Sequence, residues 1–517
     1  MQQPIQSIVI VGGGTAGWLS AGVIAARLNA TQEKPVKVTL IESPNIPIVG
    51  VGEGTWPTMR NTLKKMGVRE TDFIRECHVS FKQGAKFARW HTGKTEDAYY
   101  HPLILPQGFN HINLAPHWQV QPRGTSFSQA VCPQDALCER SLAPKMITTP
   151  EYQGLANYAY HLDAGAFSNF LTRHCTETLG VQHILDEVVG IKTANNGDIS
   201  ALLTESGAEL AADLFIDCTG FKSKLLGEHY QIPFKSCSDI LFADTALAVH
   251  LPYQQPDTEI ASHTISTAQS AGWIWDIGLA SRRGVGHVFA SRYTDRDSAY
   301  RELAEYAAQT GHKLDNLSVR EIPITPGHRE KFWHKNCVAV GLSAGFLEPL
   351  EASALVLVEI SADFIASQLP ANRAVMDTVA RRFNRTFHYR WERIIDFLKL
   401  HYMLTVRDDN DFWIDNRDPV SIPDSLHELI ELWRYHPPWD NDFDHATEVF
   451  PAASYQYVLY GMGFHTQAHP AGLSAQQKQL AKQAFAKNIE MTQKLASVLP
   501  GNRELINKIY RHGLATV

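Results

Sequence analysis

Apolar residues open the chain as a continuous run, Ile8-Val9-Ile10-Val11, rather than in alternation. A short unbroken run of this kind predicts a strand covered on both faces, as in a parallel sheet. Glycines 12–14 follow, then an alanine-rich stretch over 15–29 that predicts a helix. A second strand, Val36-Lys37-Val38-Thr39-Leu40-Ile41, ends at Glu42. Residues 5–42 therefore predict one βαβ unit. The pattern then weakens: 100–155 is rich in Pro, Gln and His and predicts an irregular excursion or lid. Regularity returns with a helix near 163–179, strands near 182–204, and the strand Leu214-Phe215-Ile216-Asp217 before Cys218-Thr219-Gly220. Between 238 and 293 the alternation is that of a sheet, at Leu241-Phe242-Ala243, Ala246-Leu247-Ala248-Val249, Trp273-Ile274-Trp275 and Val285-Gly286-His287-Val288-Phe289. A helix is predicted over 297–310. A further buried strand, Cys337-Val338-Ala339-Val340-Gly341, leads into Leu342-Ser343-Ala344-Gly345 and a helix from about 351. Helical spacing recurs over 372–401 and 474–515. The stretch 406–462 between them, rich in Asp, Trp and Pro, predicts a second lid.

Apolar strands alternating with helices predict an α/β fold class. The expected architecture is a Rossmann-like nucleotide module with a sheet-containing, mostly helical C-terminal substrate lobe. The module is discontinuous, over 1–90, 155–235 and 320–365; the lobe takes 91–154, 236–319 and 366–517. The acid and Thr-Gly turn at 217–220 are expected to lie against the bound nucleotide.

Composition narrows the function classes. Of 517 residues 44% are hydrophobic and 20% charged, enough for a sizeable core. A net charge of −7 argues against nucleic acid as the main partner, which needs a concentrated basic face. No apolar run reaches the roughly 18 residues of a membrane span. The N-terminus enters a strand without the basic and apolar regions of a secretion signal. Seven scattered cysteines read as reduced thiols, so a cytoplasmic location is expected. Cys132 and Cys138 are wrongly spaced for a zinc knuckle, the histidines show no ligand pattern, and no metal site is expected.

The chemistry begins at Gly12-Gly13-Gly14-Thr15-Ala16-Gly17-Trp18, a G-x-G-x-x-G loop between strand and helix. Gly12, Gly14 and Gly17 allow the tight turn and close backbone approach. The amides around Thr15 and Ala16 present a helix N-terminus to a pyrophosphate. Glu42, at the tip of the second strand, is placed to bond ribose hydroxyls. This pattern is shared by FAD and NAD(P) sites. Only one such loop follows a strand, which favours a flavoprotein that receives reduced flavin from elsewhere.

Further motifs follow in order. They are Gly50-Val51-Gly52-Glu53-Gly54-Thr55-Trp56-Pro57, Phe81-Lys82 with Lys86-Phe87 and Trp90, and Trp273-Ile274-Trp275-Asp276-Ile277. Then come Phe346-Leu347-Glu348-Pro349-Leu350-Glu351 and Arg407-Asp408-Asp409 with Phe412-Trp413. With the opening loop, they resemble the flavin-dependent tryptophan halogenase family along nearly the whole chain. The counterparts there read G-G-G-T-A-G-W, G-V-G-E-A-T-I-P, F-K-x-x-x-K-F-x-x-W, W-x-W-x-I-P and F-L-E-P-L-E-S-T-G.

The resemblance implies an FAD-binding module of the glutathione-reductase-like flavoprotein type. It implies an enzyme that uses reduced FAD, O2 and chloride or bromide to form hypohalous acid, which halogenates an electron-rich arene. A separate NAD(P)H-dependent flavin reductase would be the partner, and a homodimer stays open. By the resemblance Lys82 directs the oxidant and Glu351 assists it or takes the ring proton. A lysine in a partly desolvated pocket serves as donor or nucleophile. Gly50, Val51, Gly52, Glu53, Val188, Leu342 and Leu355 match flavin-contacting positions. The halide position falls at Ser353 and Ala354, where alanine for glycine is expected to resist a positive φ. Trp273 and Trp275 match residues that keep substrate from flavin, and Gly278, in place of proline, is expected to loosen that strand end. His101 and Phe450 match substrate contacts, Leu103 stands where an aromatic would stack, and Asp163 has no assigned role. The segment 436–450 lacks a counterpart to the residues that grip an amino acid, so an indole-like or phenolic compound, or a larger or tethered substrate, fits better than free tryptophan. Two other readings stand beside this one: a flavin monooxygenase that hydroxylates an arene, and a non-catalytic flavin-binding protein.

Overall fold

The computed structural model describes residues 3–29, 36–46, 52–121, 124–445, 447–467 and 473–516. The chain forms two compact units, each built from three segments.

The first unit comprises Met1–His78, Leu162–Cys237 and Thr325–Trp391. Its main sheet runs Trp333–His334, Cys337–Ala339, Leu214–Asp217, Ser7–Val11, Lys37–Glu42, Gln182–Leu185. All pairings are parallel except the edge pair Trp333–His334 with Cys337–Ala339. Ile8, Ile10, Leu40, Leu214, Ile216 and Val338 are buried, as strands covered on both faces require. The helix Thr15–Asn29 packs on the helices Ala164–Glu177 and Ser353–Ser367. Asp163 caps the first of these, its Oδ1 accepting from Ala166 N at 2.9 Å. The strand order turns at Ser7–Val11, with Lys37–Glu42 on one side and Leu214–Asp217 on the other. A nucleotide crevice opens at the carboxyl ends of strands at such a switch point.

The second unit comprises Val79–His161, Ser238–Ile324 and Glu392–Val517. Its seven-stranded sheet runs Arg320–Pro323, Thr245–Pro252, Arg282–Phe289, Gly272–Gly278, Thr264–Ala268, Gly84–Ala88, Ala98–Pro102. It is antiparallel except where Thr264–Ala268 meets Gly84–Ala88. The helix Arg296–Ala308 lays Ala299, Leu303 and Ala307 on Leu247, Val249 and Val285 of this sheet. The helix Arg373–Met403 contributes residues to both units.

Several elements differ from the sequence reading. Leu241 and Ala243 are buried, but residues 241–243 pair with no strand. Their alternation reports burial rather than a ladder. Helices Ala115–Gln119, Phe127–Val131 and Gln134–Glu139 order the supposed irregular stretch, with a Ser126–Gln129 capping box at the second. The second lid region likewise holds helices Asp411–Asp415, Asp424–Trp433 and Ala452–Gly461. The C-terminal pattern is two helices, Ala475–Val498 and Asn502–His512, parted at Leu499-Pro500-Gly501 because proline cannot continue a helix. No helix among the described residues is long and apolar enough to cross a membrane.

Candidate active site

In the first unit the glycine loop leaves its strand with Gly12 N donating to Ile41 O at 2.8 Å. Gly12 has φ +113°, and a Cβ there would lie 2.3 Å from Cys218 O. The loop therefore packs directly on the Cys218-Thr219-Gly220 turn. A Cβ on Gly14 would meet nothing within 4 Å, so that side of the loop is open. The helix that follows has no acid in its first turn, which leaves its positive end available to an anion. The turn Gly341–Ser343 closes on the helix start, where a Cβ on Gly341 would lie 2.6 Å from that of Ala16. This arrangement of open loop and a helix start free of acids fits a dinucleotide. Thr15 is buried within it.

Glu42 sits beneath the loop, and its Oε1 lies 2.7 Å from His183 Nε2. His183 in turn meets Trp18 edge-on at 4.9 Å between ring centres. No motif pointed to His183, which lies in a short half-buried strand. Asp217 is buried and accepts six hydrogen bonds. Its Oδ1 takes Thr219 N (3.1 Å), Thr219 Oγ1 (2.6 Å) and Ser343 Oγ (3.1 Å). Its Oδ2 takes Ser223 Oγ (3.2 Å), Leu225 N (2.9 Å) and Leu226 N (2.8 Å). The carboxylate thus joins the strand end to the next turn and to the 341–343 turn. Gly50 and Val51 lie outside the described residues. Gly52 is buried, and burial pushes the Glu53 carboxyl up to about 7. Val188 is buried and its carbonyl accepts from the Lys224 ammonium. Leu342 lies in the turn against Ala16, and Leu355 is buried in the first turn of Ser353–Ser367.

Glu351 and Ala352 both adopt left-handed backbone, at φ 63° and 55°. Each such residue costs about 1–2 kcal/mol. Trp56 Nε1 donates to Glu351 O at 2.9 Å, and Ala352 N to Pro349 O at 3.2 Å. The helix Ser353–Ser367 then begins with no side-chain cap and no acid in its first turn. Ser353 is buried and Ala354 exposed, and both are helical. The positive φ expected to trouble Ala354 falls instead on Glu351 and Ala352, because the turn reverses before the helix starts. Two turns on, Glu359 accepts from Thr58 Oγ1 at 3.2 Å and from Thr62 Oγ1, and burial pushes its carboxyl up to about 7.

In the second unit Lys82 is 2% exposed and ends the strand Ser80–Lys82. That strand runs antiparallel to Ala159–Leu162, with Ser80 opposite His161 and Lys82 opposite Ala159. Lys82 and His161 therefore share one face of the pair, while Phe81 and Tyr160 share the other. Burial, then the charge of Lys82, hold His161 well below the usual imidazole range. Its Nε2 lies 2.8 Å from Thr264 Oγ1.

Trp273 and Trp275 lie on one face of Gly272–Gly278, buried, with ring centres 6.5 Å apart. Trp275 stands opposite Gly286, where a Cβ would lie 2.1 Å from the indole. Gly278 does not loosen the strand end: it pairs with Arg283, and its carbonyl accepts from Ser80 Oγ. His101 and Phe450 come together through Phe397. His101 Nε2 lies 2.9 Å from Ser454 Oγ and its ring meets Phe397 edge-on at 5.6 Å. Phe397 stacks on Phe450 at 3.9 Å. Neither Phe397 nor Ser454 stood out in its helical pattern. Leu103 is buried, its N donating to Gln83 O at 3.0 Å. Arg407 is a brace: it bonds Arg89 O, Gln269 O and Asp409, and lies 4.3 Å over the Trp413 ring.

A glycine loop at the switch point of a parallel sheet, with an acid under it, defines the first unit as a dinucleotide-binding module of an α/β enzyme. The chain belongs to the tryptophan halogenase family, whose sequence model matches residues 7–478. A tryptophan 6-halogenase of Streptomyces toxytricini is 30% identical over 96% of this chain and 97% of its own. A tryptophan halogenase structure from Shewanella frigidimarina superposes with a TM-score of 0.97 at 48% identity, covering 100% of both chains. A flavin-dependent halogenase from Brevundimonas sp. superposes with a TM-score of 0.85 at 31% identity, covering 98% of this chain and 99% of that one. The protein is a flavin-dependent halogenase with the expected α/β fold.

Proposed function

We propose that this enzyme forms hypohalous acid from chloride or bromide and halogenates an indole-like or phenolic arene, in the cytoplasm. Its reduced FAD comes from a separate NAD(P)H-dependent reductase. When bound, that flavin supplies, with O2, the two-electron oxidation of halide. Gly12, Gly14, Thr15, Ala16 and Gly17 cradle its pyrophosphate, and Glu42, steadied by His183, takes the ribose. Gly52, Glu53, Val188, Leu342 and Leu355 line the rest of that site.

The amides of Ser353 and Ala354, at an uncapped helix start, hold halide. Lys82 donates to the oxidant or carries its halogen to the ring, and Glu351 takes the proton that the ring releases. The burial of Lys82 beside a neutral His161 is the observation that carries this reading, since a desolvated amine is a stronger donor and nucleophile. Trp273 and Trp275 fill their strand face with indole, which favours halogenation over direct hydroxylation. The segment 436–450 has no counterpart to residues that grip an amino acid's carboxylate and ammonium, which supports a substrate other than free tryptophan.

The test is incubation with FAD, a flavin reductase, NADH and either halide over indoles, phenols and tryptophan, read by mass spectrometry. Halogenated indole or phenol is expected. Absence of any halogenated product across the panel would overturn the proposal.

A further inference from the structure

We infer that Trp56 is a positioning residue for Glu351, holding its strained backbone through the indole N–H; this rests on the halogenase reading above. The geometry is direct: Nε1 donates to the Glu351 carbonyl at 2.9 Å. That carbonyl belongs to the peptide between two residues with φ 63° and 55°, neither of them glycine. Such a turn persists only where its surroundings fix it. The orientation of this peptide sets two things at once: where the Glu351 carboxylate leaves the chain, and where the free amides of Ser353–Ser367 begin.

Trp56 is itself well anchored. Pro57 follows it, then the helix Thr58–Lys65, whose Thr58 and Thr62 hydroxyls bond Glu359. Glu359 lies on the same helix that the strained turn introduces. The 56–62 segment therefore grips that helix at two points, the turn before it and a position inside it. The motif that this loop resembles carries isoleucine in place of Trp56, and isoleucine has no N–H to donate. The bond is a property of this chain's own residues.

Trp56→Phe keeps an aromatic ring and removes the donor, and Trp56→Ile removes it with a different shape. Steady-state halogenation of the best substrate is measured for each, alone and combined with Glu351→Gln. In the wild-type background kcat is expected to fall about tenfold, the equivalent of one ordinary hydrogen bond, with little change in substrate KM. In the Glu351→Gln background, with halide saturating so that its binding at the helix amides does not limit the rate, neither Trp56 change is expected to lower kcat further, because the carboxylate it positions is already gone. A residue that only supports folding would lower activity by the same factor in both backgrounds, and that result overturns the inference. So does an unchanged kcat in both single variants. A wild type that yields no halogenated product counts instead against the functional proposal.

Discussion

Asp217→Asn keeps the shape of the side chain and turns one of its two acceptor oxygens into a donor. With Oδ2 replaced, the amide N–H groups of Leu225 and Leu226 both face a donor. With the amide flipped, Thr219 N does, while the hydroxyls of Thr219 and Ser343 turn to accept. Either orientation therefore orphans at least one backbone N–H, buried at Leu225 and Leu226 or half-buried at Thr219. An orphaned donor costs about 1–3 kcal/mol. The bonds that remain lose charge assistance, which roughly halves them. A loss of about 3 kcal/mol in the first unit is expected. At about 2–4 °C per kcal/mol for a domain of this size, Tm falls by about 6–12 °C. Thermal unfolding followed by circular dichroism, with and without FAD, measures it. A Tm within about 2 °C of wild type would show that the carboxylate does not join these turns, whatever its hydrogen bonds suggest.

Lys82→Ala is expected to abolish arene halogenation while a dye that traps hypohalite still reports oxidant; product formed at the wild-type rate refutes the role given to Lys82. Gly286→Ala places a Cβ 2.1 Å from the Trp275 indole and 2.6 Å from Leu247 O, so a loss of about 1–3 kcal/mol is expected by thermal melts, relieved only in part by Trp275→Leu because the backbone contact stays. A melt of the single variant matching wild type would contradict that packing. Burial lowers His263 from 6.5 to about 4, so the unfolded chain binds the extra proton. Stability tied to His263 is then full above about pH 6.5 and is lost as pH falls towards 4. His263→Gln is expected to flatten the dependence of Tm on pH in that window, and an unchanged slope would count against it.

The first unit was the more legible because its cues act locally. Ile8–Val11 and Leu214–Ile216 are apolar without interruption since helices and strands cover both faces, and that pattern needs no partner to be read. The loop at Gly12 announces itself because only glycine tolerates its backbone and the nearby Cys218 carbonyl. Glu351 and Ala352 give no such notice: their left-handed turn is imposed by Trp56 and the helix behind it, and neither residue type signals positive φ. The same holds for His101, Phe397 and Phe450, which meet only through tertiary packing of a strand, a helix and a loop. Resemblance pointed to His101 and Phe450; Phe397, which joins them, has an ordinary place in an aromatic helix. At Leu241–Ala243 the alternating pattern was real but recorded burial alone.

The order of strands in the first unit also dictates when it becomes complete during synthesis. Ser7 pairs with Lys37 early, but its other neighbour includes Asp213, 206 residues further on. The strand Cys337–Ala339, which extends the sheet beyond Leu214–Asp217, emerges later still. A nascent chain released before that point carries Leu214–Ile216 with an open, apolar edge. Ribosome-bound or truncated forms ending short of Cys337 would therefore be aggregation-prone and dependent on chaperones, and the nucleotide module becomes self-sufficient only once its last segment, ending at Trp391, has emerged.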